Sequence, residues 1–197
     1  MRRRWLSSSA AVAGALAVAA FAGTRRGREL DRRLFDAVNR GHGRGADAFF
    51  VSVTELGSIA ASAAAAAVVA AGGRRRAALD GIGAASAMWV LGQALKQVYD
   101  RPRPYELESG GSRLLIGRPN GTSWPSSHPA VLLAFVLTCG RGLGLGPGAR
   151  TALVAVAGTV AVSRVYVGVH FPSDVVGGVL LGRAVAGAWP TPAQGLQ

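Results

Sequence analysis

Long apolar blocks alternate with short charged connectors along this chain. A bilayer-crossing helix needs about 20 mainly apolar residues. Six blocks approach that length: 7–23, 46–71, 81–98, 129–145, 151–169 and 173–188. The last three are shorter or interrupted by Gly, so their ends are soft. The pattern predicts an all-α, polytopic membrane helix bundle of about six transmembrane helices, with no room for a separate soluble domain. Residues 1–28 read as an N-terminal signal-anchor or first span. Their basic start, apolar run and small Ala20 and Ala22 also suit a cleavable signal peptide. Residues 29–45 read as an amphipathic connector lying in the interface, because Leu30, Leu34, Phe35 and Val38 recur at helical spacing between charges. Residues 46–190 remain as the main helical domain. The connector 105–124 is the longest polar one, and a loop of that length is more often functional than idle. Trp5, Trp89, Trp124 and Trp189 fall near the predicted span ends, where interfacial aromatics collect.

Composition supports close helix packing. Half of the 197 residues are hydrophobic, yet 28 are Gly and aromatics make up only 7%. Small residues let helices approach one another in a bilayer, where no hydrophobic effect acts between them. The net charge of +12 raises the question of nucleic acid. The Arg residues, however, cluster in connectors flanking apolar blocks, a placement suited to anionic lipid headgroups and not to a nucleic-acid face. Cys139 is the only cysteine and lies in an apolar run, which excludes a disulfide framework.

Three polar clusters interrupt the apolar background. Lys96 is followed after six residues by Arg103-Pro104. Pro125-Ser126-Ser127-His128 forms the second, and Ser163-Arg164, five residues, His170, three residues and Asp174 the third. Lys96 is the single Lys beside 21 Arg. In a chain that otherwise uses Arg, it suggests a position wanting a compact point charge. Pro172 suits the first turn of a helix, which sets His170 just outside that turn and Asp174 within it. Asp174 is then placed to orient the imidazole through Nδ1 and leave Nε2 free to attack. The plainer reading of the same residues is a helix cap. Ser126 and Ser127 precede a helix expected near Pro129, whose N-terminus suits an anion, and His128 there suits a general acid. Lys96, Arg103 and Arg164 suit the charge of a transferring phosphoryl group. Spacing alone leaves Arg101 and Arg103 as equal candidates.

Together the clusters resemble the three signature motifs of the type 2 phosphatidic acid phosphatase superfamily, which includes bacterial acid phosphatases and vanadium haloperoxidases. The first motif is met by Lys96, Arg103 and Pro104 and the third by Ser163, Arg164, His170 and Asp174. The second, Pro-Ser-Gly-His, has Ser127 in the Gly place. The resemblance covers residues 96–174. It implies that His170 is the nucleophile, Asp174 its orienter and His128 the acid. It also implies that Lys96, Arg103, Ser126, Ser127 and Arg164 bind phosphate and that neither a metal nor another cofactor takes part. Two departures bear on geometry: Ser127 disfavours a positive φ, and Pro129 pushes His128 toward extended backbone.

The implied activity is hydrolysis of lipid phosphate monoesters or diphosphates. Polyprenyl diphosphate, phosphatidylglycerol phosphate, phosphatidate and a polyprenyl-linked sugar phosphate are the candidate substrates. The expected surroundings are the cell membrane and its lipids, with no nucleic acid and no obligate protein partner. The rivals are vanadate-dependent halide oxidation and a non-enzymatic transporter or scaffold whose polar residues line a path. With a cytoplasmic N-terminus and six spans, all three clusters share one face, the extracytoplasmic one. The Arg-rich connector falls on that face too, against the positive-inside tendency.

Overall fold

The computed structural model describes residues 2–107 and 112–190, and every regular element among them is helical. In chain order these are α1 (Arg2–Gly23), α2 (Arg25–Asn39), α3 (Arg44–Thr54), a 3-10 turn (Glu55–Gly57), α4 (Ile59–Ala71) and α5 (Arg75–Val98). They are followed by α6 (Pro104–Leu107), α7 (Ser127–Gly142), α8 (Pro147–Tyr166) and α9 (Pro172–Ala188). Within α1, Leu6–Gly23 is long and apolar enough to cross a membrane, as is α8. The α3–α4 pair makes a third candidate, bent by 67°. The block 46–71 is therefore two helices and not one straight span. Ser58 starts the second by accepting a hydrogen bond from the Ala61 N–H at 3.0 Å. Helices α7 and α9, of 16 and 17 residues, fall short of full spanning length. Length and composition thus mark two spanning helices among the described residues, or three with the bent pair, against about six expected.

Helix α7 is the central element, buried almost continuously from Pro129 to Gly140. Helices α5, α9, α8 and α4 pack around it, and α1 lies along the outer side of α9. Glycine makes the α7–α9 approach possible. A Cβ on Gly178 would sit 2.3 Å from the Ser126 carbonyl oxygen, and one on Gly182 would sit 2.4 Å from that of Ala130. These two helices therefore meet backbone to backbone, the small-residue packing expected from composition. Large side chains such as Leu16, Val68, Val90 and Val98 face outward, as lipid-facing positions do.

The amphipathic segment forms a helix, and a largely polar side of it turns inward. The buried stripe of α2 is Gly27, Asp31, Phe35 and Asn39. Leu30 and Leu34 are 47% and 46% exposed, so of the predicted apolar set Phe35 is buried and Val38 half-buried against the core. Polar residues win the inner side because each has a partner there. Asn39 donates to the carbonyls of Tyr166 (2.7 Å) and Arg113 (2.9 Å) and accepts from the Arg113 N–H (2.8 Å). That amide clamps the end of α8 to the long connector. Trp124 also departs from its expected interfacial place. It is 1% exposed, lies against Gly177 and tilts over Tyr99 with ring centroids 5.0 Å apart. The side chain of Trp5 lies outside the described part.

Candidate active site

Several helix ends meet at one end of the bundle. The last turn of α5 brings Lys96, the first turn of α7 brings Ser127 and His128, and the last turn of α8 brings Arg164. The chain from 99 to 103 brings Arg103, and the short link before α9 brings His170. These six residues line one cavity of about 220 Å³, together with Gly57, Ile59, Trp89, Gln93 and others. Both imidazoles and three cations from separate clusters thus border a common space.

Helix α7 begins at Ser127 and not near Pro129, so His128 is helical and not extended. Pro129 then lies in the first turn, where a missing N–H costs no intrahelical hydrogen bond. Ser127 takes a helical conformation, and no described residue other than Gly has a positive φ. Its hydroxyl has room because Gly92 lies opposite, where a Cβ would come within 3.2 Å of the Ser127 oxygen. Ser126 is the N-cap residue, yet its side chain makes no capping bond. Its hydroxyl is buried without a partner, and it stands outside the residues lining the cavity. Its N–H instead donates to the Asp174 carbonyl at 3.0 Å, tying the second cluster to the third.

The two buried Arg residues are held differently. Arg103 is 1% exposed and donates to the carbonyls of Gly121 (2.9 Å), Val169 (3.0 Å) and Asn120 (3.3 Å). Its Nη1 lies 3.4 Å from Nε2 of His170. Arg164 donates from Nη1 to the Thr54 hydroxyl at 2.7 Å, while its Nε is buried without a partner. Burial lowers the Arg103 pKa from the ordinary guanidinium value. The His170 pKa is pushed well below the usual imidazole value, first by burial and then by Arg103, Arg164 and Lys96. Its ring is therefore neutral at pH 7, as a nucleophile must be.

The geometry also decides between the two candidate Arg residues. Arg103 faces the cavity. Arg101 faces away from it, donating to Asp174 Oδ1 (2.5 Å), Asp31 Oδ2 (2.6 Å) and the Ser173 hydroxyl (2.7 Å). Asp31 also accepts from the Ser173 N–H at 2.9 Å. Asp174 is fully buried, and its Oδ2 accepts from the Ser123 hydroxyl (2.5 Å) and the Phe171 N–H (2.8 Å). His170 Nδ1 is 3.7 Å from that oxygen, too far for a hydrogen bond. The direct His170–Asp174 bond expected from spacing is thus absent. Three donors already occupy the carboxylate, and the Ser123 hydroxyl stands closer to the ring, 3.4 Å from Nδ1.

Sequence reasoning missed Ser123, Thr54, Gly57 and Asp31. Ser123 sits only two residues before Pro125, in the connector already singled out as functional. Thr54, Gly57 and Asp31 lie far from the clusters and carry no spacing that marks them.

Comparison with known proteins agrees with this geometry. Residues 76–194 match the family model of the PAP2 superfamily. Decaprenylphosphoryl-5-phosphoribose phosphatase of Mycobacterium tuberculosis is 36% identical over 107 residues, 53% of this chain and 54% of the relative. Undecaprenyl-diphosphatase of Sulfolobus acidocaldarius is 37% identical over 98 residues, 49% of this chain and 46% of the relative. The chain thus spans about half the length of these curated relatives. A transmembrane PAP2-type phosphatidylglycerolphosphate phosphatase from Bacillus subtilis shares the fold with a TM-score of 0.76. The likeness covers 91% of this chain and 92% of that one at 22% identity. Aquifex aeolicus LpxE gives 0.72 at 27% identity, covering 80% and 92%. With its three clusters gathered on one cavity inside the matched segment, this chain belongs to the PAP2 superfamily.

Proposed function

We propose that the protein is an integral-membrane phosphatase acting on lipid phosphate monoesters or diphosphates through a phosphohistidine. The observation that carries this reading is the single cavity bordered by Lys96, Arg103, Arg164, His128 and His170. Three cations there match the charge of a phosphate's non-bridging oxygens, with the Ser127 backbone N–H at the α7 N-terminus adding a donor. His170 Nε2 attacks phosphorus while the bond to the leaving oxygen breaks. Burial and the neighbouring cations push the His128 pKa down to about 2. His128 therefore takes up its proton once the bound phosphate offsets those cations, and then gives it to the leaving oxygen. His128 then takes a proton from water, which attacks the phosphohistidine and releases phosphate. Asp174 acts behind His170. Ser126, which does not line the cavity, contributes through the bond from its N–H to the Asp174 carbonyl.

The chemistry of the relatives supports a polyprenyl phosphate or diphosphate as substrate, with phosphatidylglycerol phosphate and phosphatidate as further members of a test panel. A cavity at one end of a membrane bundle lies at headgroup depth, where such a phosphate resides. We place the protein in the cell membrane with its cavity on the extracytoplasmic side. Residues 46–190 form the catalytic helical domain, behind a first span in 1–28 and the connector 29–45.

Purified protein in detergent, given these lipids without added metal and again with a chelator, should release phosphate in both conditions. His170→Ala should remove at least 10³-fold of kcat, in keeping with loss of a covalent nucleophile (about 10³–10⁶-fold). Undiminished turnover by that variant excludes the proposed nucleophile.

A further inference from the structure

We infer that Ser123 is the positioning residue that fixes the His170 tautomer, standing between the ring and Asp174. This deepens the phosphatase reading and rests on it. The Ser123 hydroxyl is completely buried and donates to Asp174 Oδ2 at 2.5 Å. Its single hydrogen is committed there, so toward His170 Nδ1, 3.4 Å away, it has only lone pairs to offer. Nδ1 must then carry the ring proton.

The opposite edge of the ring gives the same answer independently. Arg103 Nη1 lies 3.4 Å from Nε2, and a guanidinium nitrogen is only ever a donor. Nε2 is therefore the bare nitrogen, and it borders the cavity. Both contacts are long, as catalytic hydrogen bonds often are before substrate binds. Ser123 is itself held in place, because its N–H donates to the Arg101 carbonyl at 2.8 Å. Arg101 thus fixes Ser123 through its backbone and Asp174 through its side chain. The resulting order is Nδ1–H to Ser123 Oγ, Oγ–H to Asp174 Oδ2, and Oδ1 to Arg101.

Ser123→Ala, Ser123→Thr and His170→Asn test this in purified protein, with kinetics on a lipid phosphate and ¹⁵N-histidine spectra. Wild type should show His170 protonated on Nδ1. Ser123→Ala should mix the tautomers and lower kcat about 10²-fold, the usual cost of a misplaced reacting atom, with KM within twofold. Ser123→Thr, which keeps the hydroxyl, should regain most of that loss. Wild-type kcat and an unchanged tautomer in Ser123→Ala would overturn the inference. So would a proton on Nε2 in the wild-type spectrum, which decides the matter even if the variants do not fold. An active His170→Asn would instead exclude His170 as the nucleophile, and a wild type that releases no phosphate from any lipid would overturn the phosphatase reading itself.

Discussion

His170 shows how surroundings set the chemistry of one side chain. Its pKa is depressed in the folded protein, first by burial and then by Arg103, Arg164 and Lys96. In the unfolded chain the same ring titrates near 6.5. The unfolded state therefore takes up a proton first as pH falls, and this group's contribution to stability is present above about pH 6.5 and lost below it. The ¹⁵N-histidine spectrum of folded protein should accordingly show His170 neutral at about pH 6, where a free ring is mostly protonated. Protonation at pH 6 would contradict the depressed value. At this scale the sequence was largely readable. Lys96, Arg164, His128 and His170 stood out in their clusters, Arg103 was singled out from Arg101 only by the family resemblance, and all five border one cavity. Asp174 was identified too, but its partner was not, because spacing of four residues fixes proximity and leaves the intervening hydroxyl of a distant segment invisible. The Ser127 replacement proved harmless to the backbone for a similar reason: its accommodation lies in Gly92, on another helix.

Elements, in contrast, were legible as positions and much less as faces. Helices α5, α7, α8 and α9 fall on the expected apolar blocks, displaced at their starts by one to six residues. The charged start of α5 and the Pro near the starts of α7, α8 and α9 lie outside the hydropathy signal yet still fit a helical first turn. Periodicity marked α2 as an amphipathic helix but carried no signal for the side that packs on the protein. Near a bilayer, Leu30 and Leu34 can face outward while Asp31 and Asn39 find buried partners. The break between α3 and α4 was equally hidden in a continuous apolar block. Gly57 at that break lies so near α7 and α8 that a Cβ would stand 2.7 Å from the His128 Cβ and 2.8 Å from Val160 Cγ1. Gly57→Ala should displace His128, the proposed general acid, lower kcat by about tenfold and cost about 1–3 kcal/mol by overpacking. Thermal unfolding and initial rates on the same preparation check both effects, and wild-type turnover would show that His128 tolerates the shift.

For the molecule as a whole, the apolar blocks gave the all-α membrane class, and the alternation of clusters with blocks put the clusters on a shared face. The number of crossings was less readable, because α7 and α9 are short and gain their burial from neighbouring helices more than from lipid. The proposed face is open to direct measurement. Gly117 is exposed in the long connector at the cavity end, and Arg74 is exposed at the start of α5. That helix is about 36 Å long at 1.5 Å per residue. The native Cys139 is buried, so an added Cys can be read separately. A membrane-impermeant maleimide should label Gly117→Cys in intact cells and Arg74→Cys only after permeabilisation. The reverse pattern would place the cavity on the cytoplasmic side.

The glycine contacts between α7 and α9 leave no slack on which those helices can slide. His128, His170 and Asp174 therefore stand on a fixed anvil. Any change in the width of the cavity falls to the opposite wall, where the start of α4 and the side of α5 supply Ile59, Trp89 and Gln93. Side chains can change along that wall while His128, His170 and Asp174 keep their places.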